Sequence, residues 1–409
     1  MQIYLVGGAV RDGLLNIPIK DKDWVVVGST PDELLNLGYK QVGADFPVFL
    51  HPNTQEEHAL ARTEKKSGNG YQGFICDFNP NISLEDDLLR RDLTINAMAQ
   101  DSDGSIVDPH HGQQDIEKKK LRHVSDAFAE DPLRVLRVAR FAARFAHLGF
   151  TIADETIALM QDIASSGELA HLTPERVWQE TERALGESQP WVYFKALREC
   201  NALEVIFPEL DRLFGIPQPK QHHPEIDCGI HTLMVLEQAC SLSNDINIRW
   251  ASLLHDLGKG VTRADLLPSH HGHEQSGEQL VIELNTRLKA PNEFRDLARL
   301  VCVYHTHVHR AFELKPQTLL KFFNKIDLWR KPKRLQQILL ACKADSRGRT
   351  GFESVEYNQT EYITKLAEAC LHVTAKKFVE KGIQGKAIGE AITQERLKII
   401  KALANKSRE

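Results

Sequence analysis

The sequence predicts an α+β chain. A head with a mixed sheet spans about 1–125, a helical neck and body 126–220, an all-helical unit 221–350 and a helical tail 351–409. Three observations lead there. Short apolar runs broken by glycine and polar residues recur as far as Phe78, the pattern of strands. Beyond about residue 120, apolar residues return every three or four positions, the pattern of helices. After the Pro-rich stretch Pro217–Pro224, histidine use changes abruptly: ten of the eighteen histidines lie between 222 and 309.

Length and composition set bounds. A chain of 409 residues predicts two to four domains. No apolar run is long enough to span a bilayer, and the first residues enter a strand pattern with no charged-then-apolar leader. Seven scattered cysteines with no C-x-x-C spacing fit a reducing compartment, so a cytoplasmic location is expected. The net charge is -5, so any nucleic-acid surface must be a local basic patch.

The head opens on Leu5-Val-Gly-Gly-Ala-Val-Arg-Asp12. Gly7 and Gly8 join a short strand to a helix start, where bare backbone N–H groups suit a polyphosphate. Next comes Ile19-Lys-Asp-Lys-Asp-Trp-Val-Val-Val27, a buried-strand signal. Asp21 and Asp23 are two apart, so on a strand their carboxylates share a face. Such a pair repels itself unless a cation intervenes, and Mg²⁺, which takes hard oxygen ligands, is the natural candidate.

Asp32 to Leu37 reads as a helix, and Val48–Leu50, His58–Arg62 and Phe74–Phe78 as strands. The polar, Gly-rich Glu64–Gly73 reads as a loop closing over substrate. Asp77 is a candidate third carboxylate. Leu84–Met98, with Leu88, Ile95 and Met98 at helical spacing, reads by itself as one amphipathic helix. Ala129–Phe145 is another helix, with Glu130 and Asp131 at its positive end and Arg134, Arg137, Arg140 and Arg144 along one face. Asp131 and Arg134 are three apart. A carboxylate accepting from an exocyclic amine, with a guanidinium donating to a ring nitrogen, would accept cytosine and adenine and refuse guanine and uracil. Thr173–Glu180 opens with a capping pattern.

In the second unit, Trp250–Lys259 reads as a helix ending at Gly258, with His255 and Asp256 adjacent near its end, a transition-metal donor pair.

These motifs together resemble the polymerase-β-type nucleotidyltransferases, in the branch holding CCA-adding enzymes and bacterial poly(A) polymerases. The resemblance covers nearly the whole chain. It rests on the Gly-Gly and Asp-x-Asp pair, on Arg90-Arg-Asp-x-Thr-Ile-Asn-Ala97 and on Glu130-Asp-x-x-Arg134. It implies Mg²⁺ on Asp21 and Asp23, and nucleotide binding by Gly8, Arg11, Arg91, Asp131, Arg134, Arg137 and Arg140. Arg91 would meet phosphate, while Asp92 and Asn96 would handle the sugar. His255-Asp-Leu-Gly-Lys259 resembles the HD superfamily of metal-dependent phosphohydrolases. That implies His231, His255, Asp256 and Asp345 as ligands of Ni²⁺, Mn²⁺ or Co²⁺, with His273 and His305 candidates for a second ion. The implied reaction is addition of C, C and A to the tRNA 3′ end from CTP and ATP, by a monomer or homodimer without a membrane partner. The implied second activity is a phosphatase, 2′,3′-cyclic phosphodiesterase or 2′-nucleotidase. A bacterial poly(A) polymerase shares the head motifs and is the alternative.

Overall fold

The computed structural model describes residues 1–42, 48–66 and 74–406. The chain divides into two compact units, Met1–Ile206 and Phe207–Glu409. Among the described residues no helix is long and apolar enough to cross a membrane.

The first unit begins with β1 (Gln2–Val6), α1 (Gly8–Leu14), β2 (Asp23–Val27), α2 (Pro31–Asn36), β3 (Lys40–Val42), β4 (Val48–Leu50) and β5 (Glu57–Leu60). It continues through the hairpin β6 (Thr63–Lys66) and β7 (Phe74–Asp77), then α3 (Leu84–Leu89), β8 (Ala99–Gln100), β9 (Ile106–Val107) and α4 (Gly112–Glu117). Most of the loop expected over Glu64–Gly73 lies outside the described residues; its first three form the end of β6. One sheet runs β3-β4-β5-β2-β1-β8-β9. It is mixed, because β2 and β5 are parallel and its other pairs antiparallel.

Strand alternation covers both faces of the sheet. Val6 and Val25 pack with Leu84, Leu88 and Ala97. Val26 packs on the opposite side with Leu34, Phe49 and Leu60, and Leu5 packs there with Val10 and Met98. Thr30 and Glu33 form a capping box that starts α2.

Residues 84–98 are not one helix. Helix α3 stops at Leu89, Leu93 turns extended to bridge His123, and Thr94–Asn96 form a single 3₁₀ turn. The backbone beyond α3 is taken by another segment: the Thr94 N–H donates to the Arg122 carbonyl at 2.9 Å and does not continue the helix. Asp87 is fully buried and binds Arg90 at 2.7 Å and Arg91 at 3.0 Å, which anchors both arginines where the helix ends. Burial works against the Asp87 carboxylate, yet the two guanidinium groups outweigh it and hold it below its ordinary value.

The rest of this unit is helical apart from the short parallel pair β10 (Lys120–Leu121) and β11 (Thr151–Ile152). Its helices are α5 (Leu133–Phe145), α6 (Asp154–Ser165), α7 (Pro174–Leu185), α8 (Trp191–Glu199) and α9 (Ala202–Ile206). Thr173 precedes α7, but its side chain makes no capping bond.

The second unit contains only helices among its described elements: α10 (Pro208–Asp211), α11 (Cys228–Leu242), α12 (Ile246–Leu254), α13 (His273–Arg287) and α14 (Asn292–His309). After them come α15 (Pro316–Lys325), α16 (Lys333–Arg347), α17 (Gln359–Leu371), α18 (Lys376–Val379) and α19 (Lys386–Lys406). The helix read through to Gly258 ends at Leu254; a 3₁₀ turn over Leu257–Val261 carries the chain onward. Gly258 sits where that turn presses on α13. A Cβ there would lie 1.9 Å from the His273 carbonyl oxygen.

Two outcomes follow from these contacts. Gly258→Ala forces backbone apart and should destabilise the second unit by about 1–3 kcal/mol, read as a lower melting temperature. Asp87 has a depressed folded pKa. Its stabilisation is therefore present above the unfolded value of about 3.9 and is lost as pH falls through the folded value. Asp87→Asn should cost about 3 kcal/mol near neutral pH, with the deficit shrinking in acid, measured by hydrogen exchange over residues 84–99. A deficit that does not change with pH would show that the ion pairs contribute little.

Candidate active site and metal centre

The antiparallel register of β1 and β2 sets Asp23 opposite Val6, directly before Gly7 and Gly8. The glycine turn and the carboxylate thus meet at one end of the sheet. Both line a cleft of about 690 Å³ in the first unit. Gly7 has a φ of +67°, and an added Cβ would fall 2.8 Å from the Arg91 guanidinium, so this turn demands glycine. The Asp23 carboxyl lies above its ordinary value, first because it is partly removed from water and also because Asp21 repels it, with Arg91 opposing. Asp21 precedes the strand and does not line the cleft, though its charge reaches Asp23. Asp77 is elsewhere, accepting from the Asn79 N–H in the β6–β7 hairpin. The carboxylate that does join Asp23 is Glu57, its register partner on β5 and a cleft residue. Pairing between strands far apart in sequence leaves no local signal, so sequence reasoning missed it.

Another wall comes from the Arg90–Ala97 motif and α5. Asp92 accepts from Asn96 at 2.9 Å and from Arg137 at 2.8 Å. Burial opposes its ionisation, but Arg137 and Asn96 prevail and hold it far below the usual carboxylate range. The Asn96 side-chain oxygen accepts from Arg11, which also pairs with Asp12 at 2.7 Å and lies over the Phe141 and Phe145 rings.

Asp131 is not on the helix. It lies just before Pro132 in extended backbone, and its Oδ1 caps the Leu133 N–H. Its Oδ2 accepts from Arg176 of α7 at 2.9 Å. Arg134 is buried and donates to the Ala127 and Arg90 carbonyls at 2.8 and 2.6 Å. Asp131, Arg134 and Arg176 all line the cleft. Arg140 forms a buried pair with Glu180 at 2.6 Å, and Arg144 reaches Asp12 at 2.9 Å. The cleft is therefore rich in guanidinium groups, which suits a triphosphate.

The second unit gathers its histidines at one point. Helix α11 contributes His231, the end of α12 His255 and Asp256, α13 His273, α14 His305 and α16 Asp345. The donor atoms of His231, His255 and Asp345 lie within 4.8 Å of one another, as do those of Asp256, His273 and His305. His231 Nε2 is 3.2 Å from Asp345, and Asp256 lies between the groups, 3.1 Å from His255 and 3.3 Å from His273. Each ring is oriented from behind. The Nδ1 atoms of His231, His255, His273 and His305 face the carbonyls of Gly348, Ser252, His270 and Cys302 at 2.7–2.9 Å. A carbonyl only accepts, so the proton sits on Nδ1 and the bare Nε2 points inward.

Among the described residues, His231 Nε2, His255 Nε2 and Asp256 Oδ1 are buried without a hydrogen-bond partner, which is costly unless something else occupies the site. Imidazole and carboxylate donors so placed fit a divalent transition metal. Burial lowers the basicity of His231, but Asp345 and Glu225 raise its pKa to about 9, so a proton competes with a metal for this nitrogen. Lys259 pairs with Asp256 at 2.6 Å beside a cavity of about 310 Å³.

Comparison with known proteins covers both units. Residues 3–122 match the poly A polymerase head domain, 149–214 the probable RNA and SrmB-binding site of polymerase A, and 229–346 the HD domain. The multifunctional CCA protein of Hahella chejuensis is 60% identical over 401 residues, covering 98% of this chain and 95% of that protein. Its counterpart in Thioalkalivibrio sulfidiphilus is 59% identical over 403 residues, 98% of each. The Thermotoga maritima CCA-adding enzyme complexed with tRNA shares the fold at a TM-score of 0.62, with 20% identity over 100% of this chain and 92% of that one. The Bacillus stearothermophilus CCA-adding enzyme in complex with CTP does so at 0.61, with 23% identity over 98% and 89%. With most of its length matched at such identity, the chain belongs to the family of multifunctional CCA proteins.

Proposed function

We propose that this chain adds C, C and A to the 3′ end of tRNA from CTP and ATP, and that its HD unit is a metal-dependent phosphohydrolase acting on tRNA 3′ ends. The observation that carries the first part is the placement of Asp131 and Arg134 in the same cleft as Asp23 and the Gly7-Gly8 turn. A base-reading edge made of protein beside a carboxylate site does the work of a template.

In this reading Asp23 and Asp21, with Glu57 beside them, hold Mg²⁺. When bound, the ion would neutralise charge on the triphosphate while the tRNA 3′-hydroxyl gives up its proton, its oxygen attacks the α-phosphate in line and pyrophosphate departs. Arg91 and the turn amides receive phosphate oxygens. Asp131 accepts from the exocyclic amine of C or A, and Arg134 donates to the ring nitrogen. Arg176 holds Asp131 on the cleft side, while Arg11, Arg137 and Arg140 brace the wall through their ion pairs and supply positive potential. In the HD unit, His231, His255, Asp256 and Asp345 hold a transition ion, with His273 and His305 serving a second. The ion would polarise a phosphoryl group and lower the pKa of an attacking water. The substrates favoured are 2′,3′-cyclic phosphates and 2′-nucleotides.

The test is addition of each NTP singly to tRNA lacking its 3′ end, beside metal-titrated hydrolysis of 2′,3′-cyclic AMP. Asp23→Ala should abolish addition and spare hydrolysis. His255→Ala should do the reverse. Hydrolysis lost in Asp23→Ala, or surviving in His255→Ala, places the activity in the wrong unit. A long run of A and no C would identify a poly(A) polymerase. Asp131→Ala and Arg134→Ala should slow addition and raise misincorporation of U and G relative to C and A by roughly tenfold or more. Wild-type rates and selectivity in both variants would show that base choice lies elsewhere.

A further inference from the structure

The segment that reads as a Pro-rich boundary, with the three residues after it, lies along the outer side of the histidine cluster. The Glu225 side chain is 2% exposed, and its Oε1 lies 3.0 Å from Nδ1 of His231 and 3.0 Å from Nδ1 of His223. Gln218, itself buried, donates to the same oxygen at 3.4 Å and accepts from Lys259 at 2.9 Å. Lys259 in turn meets Asp256 at 2.6 Å. One chain of contacts thus joins the outer nitrogen of His231 to the carboxylate of Asp256.

The segment is pinned at several points. The Thr350 N–H approaches Glu225 at 3.4 Å, Arg349 donates to the His222 carbonyl at 3.3 Å, and His270 contacts the Pro217 carbonyl at 3.0 Å. Ile226 adopts a φ of +62°, a conformation that a β-branched residue keeps only where its surroundings over-determine it.

His223, Glu225 and His231 are close enough together to suggest a metal site of their own. The His231 ring argues against it. Its Nε2 faces Asp345 at 3.2 Å and its Nδ1 meets the Gly348 carbonyl at 2.9 Å, so an ion on each nitrogen would need a fully deprotonated ring. We propose that Glu225, backed by Gln218, is a positioning residue of the metal centre: it fixes His231 with its proton on Nδ1, and its charge makes Nε2 a stronger donor. A carboxylate behind a ligating imidazole raises its basicity in this way. The proposal rests on the reading of His231 and Asp256 as ligands.

The experiment titrates metal-stripped full-length protein with Co²⁺, following its visible absorption, and measures Ni²⁺ affinity by chelator competition. Glu225→Ala should bind roughly 10–100-fold more weakly and shift the Co²⁺ spectrum. Glu225→Gln, which keeps size and an acceptor, should lose less, and it carries the test if the alanine variant does not fold. His223→Ala should keep the wild-type number of bound ions. CCA addition, made in the other unit, serves as the control for intact protein. Unchanged affinity and spectrum in both Glu225 variants would overturn the proposal. So would the loss of one bound ion in His223→Ala, which would mark a separate site. Failure of the wild type to bind Co²⁺ would remove the centre itself, and the proposal with it.

Discussion

A guanidinium group taken out of water needs a partner, and α5 meets that need four times along its length. Arg134 uses two backbone carbonyls, Arg137 uses Asp92, Arg140 uses Glu180 and Arg144 uses Asp12. The partners come from four places: the helix after the glycine turn, the turn after α3, the turn just before α5, and α7. The same contacts that neutralise the helix therefore fix the distance between the glycine turn and the Asp131–Arg134 end of the cleft. Pairs of this kind add little net stability when buried. Their value here is geometric.

Much of the head was legible in the sequence because its signals are local. A glycine pair, a continuous valine run and a proline before an arginine-rich helix each act within a few residues, and helix α1, strand β2 and helix α5 lie where those signals put them. Residues 84–98 misled because apolar spacing records which side chains are buried and says nothing of a backbone taken by a distant segment. Beyond Leu89 the chain pairs with Arg122 and His123, against the spacing of Leu88 and Ile95. Glu57 and Arg176 were invisible for another reason. Each enters the cleft through a pairing across tens of residues, with Asp23 and Asp131. In the second unit the histidine content announced a cluster, but which nitrogen faces inward depends on carbonyls at helix ends, which no side-chain pattern encodes.

The two centres differ in the ions that they suit. Asp23 and Glu57 offer oxygen at the open end of a sheet, where an ion can keep waters and share a substrate's phosphates. His231, His255 and Asp345 offer buried donors whose orientation is set before any ion arrives. The first arrangement suits an ion that comes and goes with the nucleotide, the second an ion that stays.

The alternation of β2 has a consequence for how the gene can change. Val25 and Val26 feed opposite cores, and Asp23 faces the side of Val25. Between Leu15 and Lys20 the chain makes no regular structure, so codons gained or lost there alter only the length of a connection and keep the Asp21–Asp23 spacing. One codon gained inside Asp23–Val27 would exchange the two cores and turn the carboxylate away from the cleft. Length variation among descendants of this sequence is therefore free up to Lys20 and closed from Asp21 to Val27.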